Sequence, residues 1–398
     1  MQNLCFKPAD ILIPEKESHE KWSVVACDQY TSQPKYWESV ENTVGDSKST
    51  LRLVFPEIFL NNNDDERIKN INESMKNYLN EGVFKEYKNS LVYLERTTGE
   101  NKTRCGIVGM VDLDSYEFKS GTNAKIRATE GTVIERIPPR VKIRENAPLE
   151  LPHIMLLYND STDSVMKSVE KGEKIYDFEL MEKGGQLKGF IVADNNAVLS
   201  ALEKLDSENG MLFAVGDGNH SLATAKTCWE NIKNSDEYRE DHPARYALVE
   251  IVNIHDSALF FEPIHRIVTK VDSEKLMKEL YKTFEISETE GQKVTFVTKG
   301  EKKDLYIKNP TTELAVGTIQ GFLDKYLSEN EGEIDYIHGE DVVLELSMEE
   351  NSVGILLPAI DKSDFFAGIE KDGSLPRKTF SMGEAFEKRY YFEARKIK

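Results

Sequence analysis

Cysteine is scarce: Cys5, Cys27, Cys105 and Cys228 are four in 398 residues, and none forms a CxxC pair. That spacing excludes a disulfide framework or a thiolate zinc site and predicts buried free thiols in a reducing compartment. The histidines have no HxxH or HExxH spacing, so a zinc centre of that kind is not expected either. No run of about 18 uncharged apolar residues occurs, which argues against a membrane-spanning helix. Neither GxxxxGK[ST] nor GxGxxG occurs, so the common P-loop and dinucleotide fingerprints are missing. No repeat or low-complexity segment is visible. The opening MQNLCFKPADILIPEKE has acids and prolines where a secretory signal needs a basic start and an apolar stretch, so a cytoplasmic protein is expected.

Positive charge is also in short supply. Fifty-one Lys and Arg face 70 Asp and Glu, a net −19. Such a chain repels a phosphate backbone at long range, which speaks against general nucleic-acid binding. Two local exceptions stand out. Residues 125–144 carry Lys125, Arg127, Arg136, Arg140, Lys142 and Arg144 against Glu130 and Glu135, and residues 377–398 carry seven Lys or Arg against three Glu, each a local +4. Solvated surface charge is one reading of each. Two halves of one anion site is the other.

What is present describes a soluble, mixed α/β chain of two to three domains' length. Short apolar runs at Ser23–Cys27, Leu91–Glu95, Arg104–Leu113, His153–Tyr158, Leu187–Ala193, Met211–Val215, Arg245–Asn253, Val294–Thr298, Val342–Ser347 and Val353–Leu357 read as strands. Helical periodicity predicts helices over about Asp64–Leu79 and Asn196–Leu205, and one after Ser273, a plausible N-cap. Lys299–Lys303 reads as a linker, and a soft boundary is expected near residue 270. That gives a catalytic core over 1–270 with insertions and a C-terminal α/β region over 271–398 that adds basic residues to the site.

The strongest local signal is Met211-Leu-Phe-Ala-Val-Gly-Asp-Gly-Asn-His220-Ser-Leu-Ala-Thr-Ala-Lys226. An apolar strand runs into Gly216, Asp217, Gly218 and Asn219, and a helix begins near His220. Two glycines permit positive φ and close approach of backbone to a ligand. The unpaired N–H groups and dipole of the helix start attract an anion. His220 and Ser221 can donate to the same phosphate. An ordinary strand–turn–helix with an Asp or Asn N-cap fits the same residues.

GDGNHSLATA resembles the G-x-H-R/S signature of the ParB/sulfiredoxin-like superfamily, which includes free serine kinases. Those proteins hold a nucleotide or phosphate at the start of the helix that follows the motif. Over nearly its full length the chain also resembles a large bacterial family catalogued as a domain of unknown function. The matching segments are Ala26-Cys-Asp-Gln-Tyr30, Ala128-Thr-Glu-Gly-Thr132, Pro152-His-Ile-Met-Leu-Leu-Tyr-Asn-Asp160, Glu262-Pro-Ile-His-Arg266 and Leu375-Pro-Arg-Lys-Thr379. The usual signature has Arg after the His; Ser221 stands there, so another residue has to supply that charge.

The resemblance implies an elaborated ParB/sulfiredoxin-like core whose C-terminal portion closes the site. The implied activity is phosphoryl transfer to free L-serine, with inorganic pyrophosphate, ADP or ATP as donor and Mg2+ as cofactor. A serine hydroxyl needs a carboxylate within hydrogen-bond reach. Asp28, after the first apolar strand, matches the position where related serine kinases carry an acid. Asp217 is the second carboxylate and either holds Mg2+ or acts as base. Positioned cations stabilise the charge that spreads over the phosphoryl oxygens; the candidates are His220, Arg127, Arg140, Arg144, Arg266, Arg377 and Lys378. Glu130, Thr132 and His265 join Arg266 as candidate contacts to the substrate, although ion pairing explains Glu130 equally well and a structural role is the ordinary one for His153, His265 and His338. Two other readings stay open: a phosphate- or nucleotide-binding regulatory module of the ParB-like type, and a phosphate-ester hydrolase. The assembly is open between monomer and homodimer.

Overall fold

In the computed structural model, residues 4–62, 65–99, 102–119, 121–151, 153–206 and 210–398 are described. Asp64, expected to open a helix, and Pro152, within one of the matching segments, lie outside them. The fold is a mixed α/β fold. It divides into two compact units, one of residues 1–128, 132–259 and 384–398, the other of residues 129–131 and 260–383.

The first unit is organised by alternation. Successive residues of a strand point to opposite faces of its sheet. Ile107 and Val108 are neighbours, yet Ile107 packs in one apolar core and Val108 in another; Leu248 and Val249 divide the same way. A sheet buried on both faces results. Its strands are β1 (Phe6–Lys7), β2 (Val92–Thr97), β3 (Thr103–Asp112), β4 (Tyr116–Glu117), β5 (Ile126–Arg127), β6 (Met155–Tyr158), β7 (Lys171–Leu180), β8 (Gly185–Val192), β9 (Phe213–Asp217) and β10 (Tyr246–Asn253). They run in the order β7-β8-β2-β3-β10-β6-β9-β5-β4, with β1 paired to β3. One core packs α3 (Asn195–Asp206) and α4 (Asn219–Lys233) on the sheet through Val198, Leu202, Leu222, Ala225 and Trp229. The other holds Trp22, Val24, Val25, Met75 of α1 (Asp65–Asn80) and the aromatic run Tyr390, Tyr391 and Phe392. Between them in sequence lies α2 (Ile137–Arg144), opened by prolines in its first turn.

The second unit carries a six-stranded antiparallel sheet in the order Ile286–Ser287, Glu301–Ile307, Gln292–Thr298, Val353–Leu356, His265–Thr269, Glu333–Ile337. Because His265–Thr269 pairs with two strands of this sheet, the unit boundary falls at Leu259/Phe260, ahead of the expected residue 270. Residues 384–398 return to the first unit.

Three local readings are corrected. Of Val342–Ser347, residues 342–346 are helical, within Glu340–Leu346, and Ser347 is the C-cap; Glu340 and Asp341 place two carboxylates in the first turn, and of the helix's residues Val343 alone is fully buried. Lys299–Lys303 is no linker: Lys299 (φ 52°) and Gly300 (φ 75°) form a two-residue hairpin turn closing the Thr298–Glu301 pair. The helix expected after a Ser273 cap is capped by Asp272, whose side chain accepts the Lys275 N–H at 3.0 Å. All four cysteines are free thiols.

Candidate functional site

Strand β9 ends at Asp217, and the chain turns through Gly218 at φ 84° into the 15-residue α4. A Cβ at Gly218 would sit 3.0 Å from Ile154 Cα, so the position demands glycine for both space and handedness. Gly218 is itself the N-cap, and no side chain caps the helix. The Asp or Asn cap of the ordinary reading is therefore not what forms. The Asp217 carboxylate turns back to accept the Gly218 N–H at 2.8 Å and faces Lys388 Nζ at 3.4 Å.

The first turn of α4 presents His220 and Ser221. His220 Nε2 accepts the Val133 N–H at 3.3 Å, which leaves Nδ1 as the protonated nitrogen of the neutral ring. Burial pushes the His220 imidazole down to about 4, helped by the Arg140 and Arg136 guanidiniums and opposed by Asp28. His220, counted among the cations from sequence, is thus neutral at neutral pH and contributes a hydrogen bond rather than a charge.

Ser221 Oγ lies 3.4 Å from His153 Nε2, and the same nitrogen is 4.0 Å from Asp28 Oδ1. The Asp28 segment and the glycine loop, nearly 190 positions apart in sequence, therefore meet across one histidine. His153 Nδ1 lies 3.0 Å from the Tyr391 hydroxyl, which also accepts the Cys27 N–H at 3.2 Å. Tyr391 reaches this place because Tyr390–Tyr391 pairs antiparallel with Val24–Val25, the short strand that precedes Asp28.

Cys27, His153, Ser221 and Tyr391 border a cavity of about 150 Å³. Arg140, Arg144, His153, Ser221 and Tyr391 line its polar side; Leu53, Val54, Phe55 and Met75 line its apolar side. Arg140 donates to the Arg136 carbonyl at 2.7 Å and pairs with Glu57. Arg144 donates to Glu150 at 2.5 Å, a carboxylate that Arg395 also holds at 2.7 Å. Arg144 is thereby committed to a buried carboxylate, while Arg140 stands within the field of Asp28, His220 and Cys27.

Of the remaining Arg, Lys and substrate-contact candidates, two belong to the first unit and five to the second. Arg127, on β5, pairs in register with Ala214 and donates to the Ala124 carbonyl at 3.0 Å. Its guanidinium lies near Gly210, so it is at the opposite end of β9 from the loop. Thr132 belongs to the first unit, and its hydroxyl is buried without a hydrogen-bond partner. Glu130, His265, Arg266, Arg377 and Lys378 belong to the second unit. There Glu130 forms a bridge with Leu375, and His265 Nδ1 accepts the Leu357 N–H at 3.2 Å. Arg266, fully buried, donates to the carbonyls of Ile264, Arg377 and Lys378 and to Gln320. Burial lowers its guanidinium to about 10. His265 Nδ1 and the Arg266 guanidinium thus tie strands and loops together, and these groups are spent on the protein itself.

Three groups were missed from sequence as members of this site: His153, Tyr391 and Lys388. The apolar, aromatic Tyr390-Tyr-Phe392 was the signal for a strand, masked by the basic residues around it. Among the described residues, no three His, Cys, Asp or Glu side chains converge to hold a metal ion. Asp217 is the carboxylate of the loop itself, and its oxygens meet the Gly218 N–H and Lys388; an oxygen ligand of this kind suits magnesium.

Comparison with solved structures finds distant likenesses. A free serine kinase variant in complex with ADP is 11% identical, with 76% of this chain and 95% of that chain covered and a TM-score of 0.41. A conserved hypothetical protein from Pyrococcus furiosus is 12% identical, with 71% and 93% covered and a TM-score of 0.36. SbnI with a C-terminal truncation, from Staphylococcus aureus, is 12% identical, with 67% and 82% covered and a TM-score of 0.37. No curated protein matches the chain. The model of the family described as "Protein of unknown function (DUF1015)" matches residues 7–326, and the chain belongs to that family.

Proposed function

We propose that the first unit transfers a phosphoryl group to the hydroxyl of free L-serine, with inorganic pyrophosphate, ADP or ATP as donor. The observation that carries this reading is the meeting of Asp28, His153 and Ser221 beside an uncapped helix start that follows a glycine turn. The choice of serine comes from the motif resemblance.

In this reading the donor's phosphates sit at the first turn of α4, where the backbone N–H groups of 220 and 221 and the helix dipole face them; the Gly218 N–H is taken by Asp217. His220 donates from Nδ1 without adding charge. Arg140 and Lys388 supply the positive field. Asp28 accepts the serine hydroxyl proton as the serine oxygen bonds to phosphorus and the bridging P–O bond to the leaving phosphate breaks. Asp217 would hold Mg2+ beside the donor, where the ion would neutralise phosphate charge.

The test is incubation of the purified protein with L-serine, Mg2+ and, separately, pyrophosphate, ADP or ATP, with phosphoserine read by mass spectrometry. Phosphoserine from at least one donor is expected. Donor breakdown without phosphoserine would make the site a hydrolase, and donor binding without turnover would make it a regulatory module.

A further inference from the structure

The site described above leaves one proton to be placed. A neutral imidazole carries one proton on two nitrogens, so the partner of one nitrogen dictates what the other can do. His153 Nε2 faces Asp28 and Ser221, and Nδ1 faces Tyr391. The phenol therefore governs the ring.

The Tyr391 oxygen accepts the Cys27 N–H, and its own proton needs an acceptor. Two atoms are near it: His153 Nδ1 and the Cys27 sulfur. Burial pushes the Cys27 thiol up to about 12, with Asp28 adding to the rise. The sulfur thus stays a neutral thiol, which is a weak acceptor, whereas an unprotonated imidazole nitrogen is a strong one. The geometry is fixed from outside the site. Tyr391 pairs in register with Val24, the Ala26 N–H donates to the Arg389 carbonyl at 3.1 Å, and the two rings meet edge-on at 5.4 Å and 88°.

We propose that Tyr391 donates its phenol proton to His153 Nδ1 and holds His153 in the Nε2–H tautomer, so that the imidazole is a donor toward Asp28 and Ser221. Tyr391 is then a positioning residue that acts through His153. It follows that the carboxylate, and not the imidazole, takes the substrate proton; this last step rests on the functional reading above, whereas the tautomer does not.

The tautomer is read by two-bond proton–nitrogen correlation NMR of the ring nitrogens in the full chain at neutral pH, with His153→Gln to assign the signals. His153 should show a protonated Nε2 and an unprotonated Nδ1. Tyr391→Phe should move the ring toward the Nδ1–H form, and Cys27→Ala should leave it as it was. A protonated Nδ1 in the unsubstituted protein, or an unchanged ring in Tyr391→Phe, overturns the proposal. If Tyr391→Phe does not fold, the unsubstituted spectrum and Cys27→Ala still decide. Where phosphoserine is formed, Tyr391→Phe should lower kcat roughly ten- to a hundredfold, the usual cost of losing a partner that orients a ring, with the donor KM little changed. Absence of phosphoserine with every donor would overturn the functional reading while leaving the tautomer measurement intact.

Discussion

The two units spend their charges differently. In the first, beside solvated pairs such as Lys69–Glu73, a set of ion pairs is buried: the Glu250 side chain is 0% exposed and its partner Arg389 6%, at 2.8 Å. Arg389 also holds Glu393 at 2.8 Å, and Arg104 reaches Glu250 at 3.1 Å. Burial works against the ionised form of Glu250, but Arg104 and Arg389 outweigh it and keep its carboxyl below the usual range. In the second unit the pairs are solvated; Lys270 and Glu333 are 69% and 65% exposed. The second unit's buried cation, Arg266, binds carbonyls and an amide rather than a carboxylate. The difference teaches where the sequence needs charge for architecture. The buried pairs fasten residues 384–398 to the sheet, and those residues deliver Tyr391 and Lys388 to the site. The solvated pairs of the second unit, being exposed, contribute little.

That contrast can be broken at its strongest point. Arg389→Met leaves two buried carboxylates without their shared partner. It should cost about 3–5 kcal/mol of stability by urea unfolding. A loss under about 1 kcal/mol would mean that the pairs in the first unit are no more consequential than surface ones. The next effect is on rate. Asp28→Asn should lower kcat for phosphoserine formation by roughly 10²–10⁴-fold with donor KM little changed. If Asp217→Asn abolishes turnover while Asp28→Asn does not, the roles of the two acids are exchanged.

A smaller effect is expected in the pH dependence. His220 takes up its proton near pH 4 when folded and near the ordinary 6.5 when unfolded. Between those values the unfolded chain binds more protons, so stability falls as pH drops from 6.5 toward 4. His220→Gln should flatten that part of the curve, measured by urea unfolding at pH 7 and pH 5. An unchanged slope would show that the ring is not held neutral. Smallest of all, Lys270→Ala should change stability by less than about 1 kcal/mol, and the change should shrink further in high salt.

The strand, the glycine loop and the helix at 213–233 were legible because the signal is local: an apolar run, two glycines bracketing an acid, then a 3.6-residue period. The short apolar strand before Asp28 was legible for the same reason, whereas a part for Asp28 in the chemistry came from the motif resemblance. His153 was not, since a histidine beside a strand reads as a core residue until its neighbours are known. Tyr391 was still less legible. Its partner strand is Val24–Val25, over 360 residues earlier, and no periodicity in a window can reveal such a pairing. The +4 stretch at 125–144 misled in part because charge counts ignore partners: Arg144 serves Glu150, Arg140 pairs with Glu57, and Arg127 sits at the far end of its strand. Val342–Ser347 misled because the apolar run Val342-Val-Leu344 followed by Glu345 and Leu346 imitates a strand when the helix it forms is only one-sided.

The return of residues 384–398 to the first unit has a consequence for synthesis. The ribosome makes residues 1–259 first, yet the strand that pairs with Val24–Val25, and with it Arg395, Arg389 and Tyr391, which complete the surroundings of Glu150, Glu250 and His153, are made only after the whole of 260–383. Almost all of the second unit is one uninterrupted stretch and can collapse as it emerges, whereas the first must wait in an incomplete form for more than a hundred further residues. At roughly 5–20 residues per second that interval lasts on the order of ten seconds, during which carboxylates destined for the interior still face water. The site is therefore among the last parts of the protein to exist.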